Sequence, residues 1–188
     1  MNYVKIGIMI LIILALGFHA QGDSTGPVVQ KNGDVFTVKG WPEGFSLLRP
    51  VEYYGTLEKE QKNGTLFEYI NGGGQVYIKH GFRAVTHVVL ENKKRDRITL
   101  DIYNMGTPAN AATAYKNPAI VAAEGFTVFP ITNKKNSEGS LEKAKLFNYS
   151  PDILVYFIKG QYLVYISLNN DTLLETATGF AKKLYQSI

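Results

Sequence analysis

Two apolar runs in the last third of the chain carry its clearest structural pattern. Residues 153–158 and 162–168 are joined by Lys-Gly-Gln at residues 159–161, a short glycine-containing connection that is typical of a β-hairpin. Both runs are apolar on successive residues, for example Leu-Val-Tyr-Phe at residues 154–157. Because side chains alternate between the two faces of a strand, these strands are expected to be buried on both faces. The predicted sheet therefore needs a cover on each side.

A second hairpin is predicted in the middle of the chain. Residues 84–90 and 97–103 are rich in β-branched side chains and flank a basic stretch, which is typical of a solvated hairpin tip. Residues 143–149 form a further strand candidate, and residues 35–38 form a short one. The pattern therefore indicates an antiparallel sheet of about five or more strands.

Two helices with clear start signals can cover this sheet. The first is predicted over residues 108–115, because Thr107 is a good N-cap and Pro108 suits the first helical position. The second is predicted to start near Asp171, with Glu175 completing a capping box. Its apolar stripe consists of Leu173, Leu174, Ala177, Phe180, Ala181 and Leu184.

Residues 66–78 place apolar and glycine residues on one helical stripe. Each glycine in a helix interior costs roughly 0.5–1 kcal/mol relative to alanine, which is tolerable where the backbone packs closely on a sheet. We interpret the segment as a helix with a glycine face. Together, these elements predict an α+β fold in which the antiparallel sheet is packed with two or three helices.

The first 22 residues have the three parts of a signal peptide. A basic residue, Lys5, precedes an apolar run over residues 6–18, and small residues follow at Ala20 and Gly22. The run is shorter than the ~20 apolar residues that a membrane-spanning helix needs. Cleavage near Gly22 is favoured over retention of the segment as an anchor. Cleavage would leave no transmembrane span. The mature protein is therefore predicted to be exported, either to the periplasm or to the extracellular space.

Composition narrows the class of the exported protein. The chain contains no cysteine, which excludes disulfide bonds and thiol catalysis and favours a bacterial envelope setting. Its formal net charge of +4 is too small to indicate a nucleic-acid partner. Residues 23–40 are polar and glycine-containing at their start and are interpreted as a flexible lead-in. Residues 41–188 are predicted to form a single α+β domain.

Two short motifs lie in the middle of the chain. The first is Glu68-Tyr-Ile-Asn-Gly-Gly73 with Tyr77 and Gly81-Phe82, and the second is Asp101-Ile-Tyr103 with Met105-Gly-Thr-Pro-Ala-Asn110-Ala and Tyr115. They resemble the motifs of an uncharacterised family of exported bacterial proteins, which has no assigned activity. The resemblance extends over residues 41–115 and implies export and a shared fold. The chain has Asn104 where the family commonly has an acidic residue.

The functional face is predicted to lie near these motifs. Their glycine run lacks the Lys-Ser/Thr of a phosphate-binding loop, so close helix–sheet packing is favoured over phosphate binding. His80 and His87, the only histidines after the signal peptide, match no standard zinc spacing, so neither a metal site nor a cofactor is indicated. The candidate ligand-binding residues are Glu68, Tyr69, Asn71, Gly72, Gly73, Tyr77, Asp101, Tyr103, Met105 and Asn110.

The favoured function is a non-catalytic envelope domain that binds a small amphipathic ligand or a partner protein. The chain has 12 tyrosines, whose apolar rings and polar hydroxyls suit a groove for such a ligand as well as ordinary packing. An enzyme that uses Glu68 and Asp101 on glycans is the alternative, although isolated acids in motifs more often cap helices or bind loop N–H groups. A structural or assembly subunit is a third interpretation.

Overall fold

The computed structural model describes residues 27–135 and 141–188. The predicted signal peptide, residues 1–22, lies outside the described residues. Within the two described ranges, no helix is both long enough and apolar enough to cross a membrane.

An eight-stranded antiparallel sheet is the centre of the fold, and the α+β prediction is confirmed. Its strand order is β3-β5-β6-β10-β9-β8-β7, and β4 also pairs with β5; β1 and β2 form a separate hairpin. The strands are β1 Val28–Asn32, β2 Val35–Lys39, β3 Phe45–Leu47, β4 Glu52–Gly55, β5 Ala84–Asn92, β6 Arg97–Asn104, β7 Phe126–Lys135, β8 Leu141–Tyr149, β9 Asp152–Lys159 and β10 Tyr162–Leu168.

Four α-helices, rather than two or three, accompany the sheet in the described part of the chain. They are α1 Leu66–Tyr69, α2 Gly74–Lys79, α3 Pro108–Lys116 and α4 Leu174–Ser187, with a 3₁₀ turn at Asp171–Leu173 before α4. Helix α4 lies on one face of the sheet, whereas α1, α2 and α3 lie on the other. Both faces of the sheet are therefore covered, but the second hairpin is fully buried only under α4, because Leu154, Tyr156 and Tyr165 on the other face are partly exposed.

Both predicted hairpins are present, as β5–β6 and β9–β10. The structure adds the contact between them, because β10 pairs with β6 along the whole length of β10. This pairing places the two hairpins side by side at the centre of the sheet. Side chains of β5, β6, β10 and β9 that point to the same face therefore form continuous rows across four strands.

The face under α4 is aliphatic. Along each central strand, every second side chain points toward α4, and most of these side chains are aliphatic. This is the period-2 pattern of a strand whose two faces carry different kinds of residue. Helix α4 contributes the predicted apolar stripe at Ala177, Phe180, Ala181 and Leu184, all buried. The buried strand residues of this face include Val88, Leu90, Ile98, Leu100, Ile102, Ile153, Val155, Phe157, Val164 and Ile166.

The short strand predicted at residues 35–38 is confirmed as β2, whereas residues 28–32, interpreted as part of the lead-in, form β1. The two strands form the β1–β2 hairpin, and Phe36 and Val38 are buried in the aliphatic core. The backbone N–H of Phe36 donates to Thr86 Oγ1 at 2.9 Å, which ties the hairpin to β5. Two alternating apolar residues suffice to dock the hairpin, although the residues before them are polar.

The single helix predicted over residues 66–78 is also wrong. The helix breaks after Tyr69, because Ile70 is extended and Gly72 has a φ of +77°, and it resumes at Gly74. A positive φ is available to glycine at little cost, so the glycines end one helix and start the next. Close packing does hold at Gly74, where a Cβ would lie 3.2 Å from the ring of Phe67.

Of the two predicted helix starts, the one at α3 is confirmed and the capping box at α4 is not. Thr107 caps α3 as predicted, since its hydroxyl accepts the backbone N–H of Asn110 at 3.2 Å. At α4 the predicted capping box with Glu175 is wrong. The side chain of Asn170 caps the preceding 3₁₀ turn instead, by accepting the N–H of Thr172 at 3.0 Å.

Candidate functional site

A buried histidine–aspartate pair lies on the face opposite α4. His87 on β5 and Asp101 on β6 are direct cross-strand partners, so their side chains project side by side from the sheet. His87 Nδ1 lies 2.6 Å from Asp101 Oδ1. The two residues are only 4% and 2% exposed. Burial of a carboxylate requires compensating hydrogen bonds, and the surrounding residues supply them.

Two tyrosine hydroxyls complete the coordination of Asp101. Tyr69 and Tyr103 donate to Asp101 Oδ2 at 2.7 Å and 3.2 Å. Tyr103 projects from β6 itself, whereas Tyr69 reaches in from α1 and stacks on Tyr54 with ring centroids 4.9 Å apart. With the imidazole on Oδ1 and two hydroxyls on Oδ2, the carboxylate accepts three hydrogen bonds. Asp101 is thus the central acceptor of a satisfied polar network.

The contact between Arg49 and His87 fixes the tautomer of the imidazole. Arg49 Nη2 lies 2.7 Å from His87 Nε2, and a guanidinium has only donors. Nε2 must therefore accept, so the single ring proton is on Nδ1 and is donated to Asp101. Arg49 also lies 3.5 Å from the carboxylate of Glu52, the cross-strand partner of His87 on β4. The imidazole is neutral in this arrangement, and both of its nitrogens are engaged.

The tyrosines of this network are held in their neutral form. Burial raises the pKa of Tyr69 and Tyr103 far above the ordinary value, and the nearby Asp101 charge raises both further. Burial also raises the pKa of Tyr77 on α2 to about 12. Tyr77 stacks on Tyr103 with centroids 4.7 Å apart. At neutral pH these hydroxyls therefore act as uncharged donors.

The same row of side chains continues across three more strands. Asp101 is the cross-strand partner of Tyr165 on β10, Tyr165 is that of Tyr156 on β9, and Tyr156 is that of Lys145 on β8. We call His87, Asp101, Tyr165, Tyr156 and Lys145 the polar row. The rings of Tyr156 and Tyr165 lie 4.9 Å apart. Both tyrosines are partly exposed, unlike the His87–Asp101 pair.

Lys145 at the end of the polar row lies among aromatic rings. Its Nζ is 4.5 Å from the ring centroid of Phe126 and 4.9 Å from that of Tyr115. Partial burial lowers the pKa of its ammonium group. The two rings stabilise the positive charge through cation–π contacts, but they offer no hydrogen-bond acceptor.

The structure brings four of the predicted site residues together. Tyr69, Tyr77, Asp101 and Tyr103 form the contacts described above. Asn71, Gly72 and Gly73 instead lie exposed in the turn between α1 and α2. The sequence motif therefore contains both site residues and the turn that positions them.

Glu68 has a structural role at the start of α1. Its Oε2 accepts the backbone N–H of Thr65 at 2.6 Å and the hydroxyl of Thr65 at 3.1 Å, which completes a capping box. Its carboxylate is occupied by the cap, and that of Asp101 is buried beneath three donors. The two acids do not form an open pair of carboxyl groups of the kind that glycoside hydrolysis uses.

Asn110 and Met105 organise the loop that leads into α3. Asn110 Nδ2 donates to the backbone carbonyl of Met105 at 3.0 Å, and Met105 is fully buried. Gly81 lies against the same amide, since a Cβ there would be 2.2 Å from Asn110 Nδ2. These motif residues therefore stabilise the loop between β6 and α3 and are not part of the polar row.

Sequence reasoning missed several members of the site. His87 was not included among the candidate site residues, although the alternation of side chains along its strand places it on one face with Val85 and Val89. Arg49, Tyr156, Tyr165 and Lys145 became neighbours of the site only through strand pairing. The adjacent aromatic residues in the two runs of the second hairpin were the one available signal.

Among the residues that the structure describes, no three His, Cys, Asp or Glu side chains form a group suited to a metal ion. Comparisons with protein families, with curated proteins and with solved structures found no match for this chain.

Proposed function

We propose that the protein is an exported, non-catalytic envelope domain that binds a small amphipathic ligand at the partly exposed end of the polar row. The observation that carries the proposal is the pair of neighbouring rings of Tyr156 and Tyr165. They are 4.9 Å apart and partly exposed, beside a network that is otherwise buried and satisfied.

The engaged state of His87 and Asp101 favours binding over catalysis. A general base needs a lone pair that can reach a substrate proton. Here Nδ1 of His87 donates to Asp101, and Nε2 accepts from Arg49. Asp101 accepts three hydrogen bonds and is almost fully buried. The pair therefore serves to hold Tyr69 and Tyr103 in place.

The surroundings of the two tyrosines suit a ligand with both apolar and polar parts. Leu154 lies two residues before Tyr156 on the same face and is partly exposed. Its cross-strand partner Ser167 pairs in turn with Thr99, so two hydroxyls border the rings. Tyrosine rings and Leu154 offer apolar contact, and the hydroxyls offer hydrogen bonds.

Native mass spectrometry of the protein, purified gently from an exporting bacterial host, tests the proposal. We expect an excess mass of a few hundred daltons that survives purification, as for a retained small ligand. A Tyr156→Ala/Tyr165→Ala double variant should lose it. Tyr53→Ala is the matched control, because Tyr53 lies on an edge strand and is the cross-strand partner of Thr86 rather than of a polar-row residue.

A bare mass for the wild-type protein, or an excess mass that the double variant keeps, would contradict binding at this place. Circular dichroism of the double variant checks that the fold is retained. A bare mass would favour the partner-protein interpretation, for which crosslinking in the native envelope is the direct measurement.

A further inference from the structure

We infer that the ligand of the polar row is an amphiphile with a single carboxylate head group, and that Lys145 binds this head group. The inference rests on the proposed function and names the ligand class. It follows from the contrast between the ammonium of Lys145 and that of Lys159, the other partly buried lysine among the described residues.

The Lys145 ammonium has no anionic partner in the described ranges 27–135 and 141–188. It takes part in none of the ion pairs found there, which join Arg49, Lys59 and Arg97 to carboxylates. Its Nζ is also absent from the hydrogen bonds among these residues, and it is not among their fully buried unsatisfied atoms. The ammonium therefore keeps some contact with solvent.

Lys159 provides an internal comparison. It too lies over an aromatic ring, with Nζ 4.7 Å from the ring centroid of Tyr185, and it is partly buried. Its ammonium additionally donates to the backbone carbonyl of Tyr185 at 2.5 Å. Lys145 has two rings and no such acceptor among the described residues. An ammonium has three N–H donors, so an oxygen from a ligand would complete its bonding.

The rest of the polar row determines what the head group is attached to. Tyr156 lies directly opposite Lys145, and Tyr165 lies directly opposite Tyr156. A chain or ring that extends from Lys145 along the row therefore meets two aromatic side chains. Burial raises the pKa of the Tyr156 hydroxyl, which stays protonated and can donate to the second carboxylate oxygen.

The single positive charge of Lys145 favours a head group with one negative charge. One ammonium compensates one anion, and the carboxylate of Asp101 lies at the far side of Tyr165 in the same row. A dianionic phosphate monoester would leave one charge uncompensated in a partly desolvated place, which is unfavourable. A monocarboxylate satisfies Lys145 without that excess.

The test compares octanoate, 1-octanol and octylammonium as probes of equal chain length. Their binding to the purified protein, freed of retained ligand, is measured by isothermal titration calorimetry. We expect octanoate to bind at least about tenfold more tightly than 1-octanol, and octylammonium more weakly than both. In Lys145→Met the preference for octanoate over 1-octanol should disappear, and in Lys145→Arg it should persist.

Lys143→Met is the matched control, because Lys143 lies two residues earlier on β8 and is exposed. It should keep the octanoate preference. Lys145→Met should melt at the same temperature as the wild type or higher, since it removes a partly desolvated charge and retains the apolar length of the side chain. A loss of octanoate binding therefore does not come from unfolding.

Two outcomes overturn the inference and differ in what they say of the proposed function. If octanoate and 1-octanol bind equally, or the preference survives in Lys145→Met, Lys145 is not the head-group site. The proposed function still stands in that case if Tyr156→Ala weakens the binding of both probes. If no probe binds, both the inference and the proposed function fail.

Discussion

The two faces of the central sheet are built from the same strands, yet they differ in chemistry. On β6, Leu100 and Ile102 point toward α4 and are buried among aliphatic side chains. Asp101 and Tyr103, the residues that alternate with them, point to the other face and are equally buried. The difference teaches that burial alone does not distinguish a stabilising core from a candidate site. The satisfied polar groups on one face distinguish them.

The physical basis of stability also differs between the faces. The aliphatic face is stabilised by removal of apolar area from water and by close packing. The polar row depends on hydrogen bonds, of which each loss leaves a buried partner unsatisfied. A change confined to one face should therefore weaken the interactions of that face and leave those of the other face intact. Three experiments can measure this.

Alkaline pH should produce the largest effect, and it acts on the polar-row face. Burial raises the pKa of several tyrosines there, among them Tyr69, Tyr77, Tyr103, Tyr156 and Tyr165. The folded chain holds the protons of these hydroxyls more tightly than the unfolded chain does. Their stabilising contribution to the free energy of unfolding is therefore complete below the unfolded pKa of about 10 and is lost as the pH rises toward the folded values. Above a pH of about 10, each of these tyrosines lowers the free energy of unfolding by about 1.4 kcal/mol per pH unit.

Urea unfolding at a series of pH values between about 8 and 12 measures this loss. Several kcal/mol should disappear within about one and a half pH units above pH 10. Tyr156→Phe should make the decline shallower by the contribution of one proton. A flat profile across this range would show that these tyrosines ionise as readily when folded as when unfolded.

The pair Phe157 and Tyr156 offers the next largest effect, within a single strand. Phe157 faces α4 and is fully buried, and its ring meets that of Tyr185 at 5.7 Å. Its replacement by alanine should lower the free energy of unfolding by about 4 kcal/mol, since it opens a cavity. Tyr156→Ala, one residue earlier on the partly exposed face, should cost roughly half as much or less. Equal losses in denaturant unfolding would contradict the division between the faces.

The smallest effect distinguishes hydroxyls within the polar-row face. Tyr69→Phe removes a donor to the buried Asp101 carboxylate and should cost about 1.5–2 kcal/mol. Tyr156→Phe removes a partly exposed hydroxyl and should change stability by less than about 0.5 kcal/mol. Thermal and urea unfolding of both variants measure the difference. A neutral Tyr69→Phe variant would mean that Asp101 does not depend on this bond.

Much of the local structure could be predicted because it follows from local pattern. The two hairpins have turn signals between apolar runs, and Thr107-Pro108 determines a helix start by its own hydrogen bonding and φ. Strand β7 was missed because Pro130 interrupts it and polar residues follow. It stands at the sheet edge, where proline is tolerated.

The candidate site was predicted less completely. The motif residues Tyr69, Tyr77, Asp101 and Tyr103 do meet, whereas Glu68, for which a capping role was favoured over catalysis, caps α1 through Thr65. The broken helix over residues 66–78 reflects an ambiguity in the sequence. Glycines can lie on a helix face or end a helix, and local pattern does not choose between a tolerated cost and an available positive φ.

The sequence by itself determined which residues share a strand and which of them alternate, because the period of two is a property of the extended backbone. It therefore determined that Asp101 and Leu100 face opposite ways. Only the tertiary structure decided that β10 lies beside β6 and that α1 folds back over β5. Those long-range pairings place Tyr165, His87 and Tyr69 around one carboxylate, and no local pattern specifies them because sheet neighbours can come from distant parts of a chain.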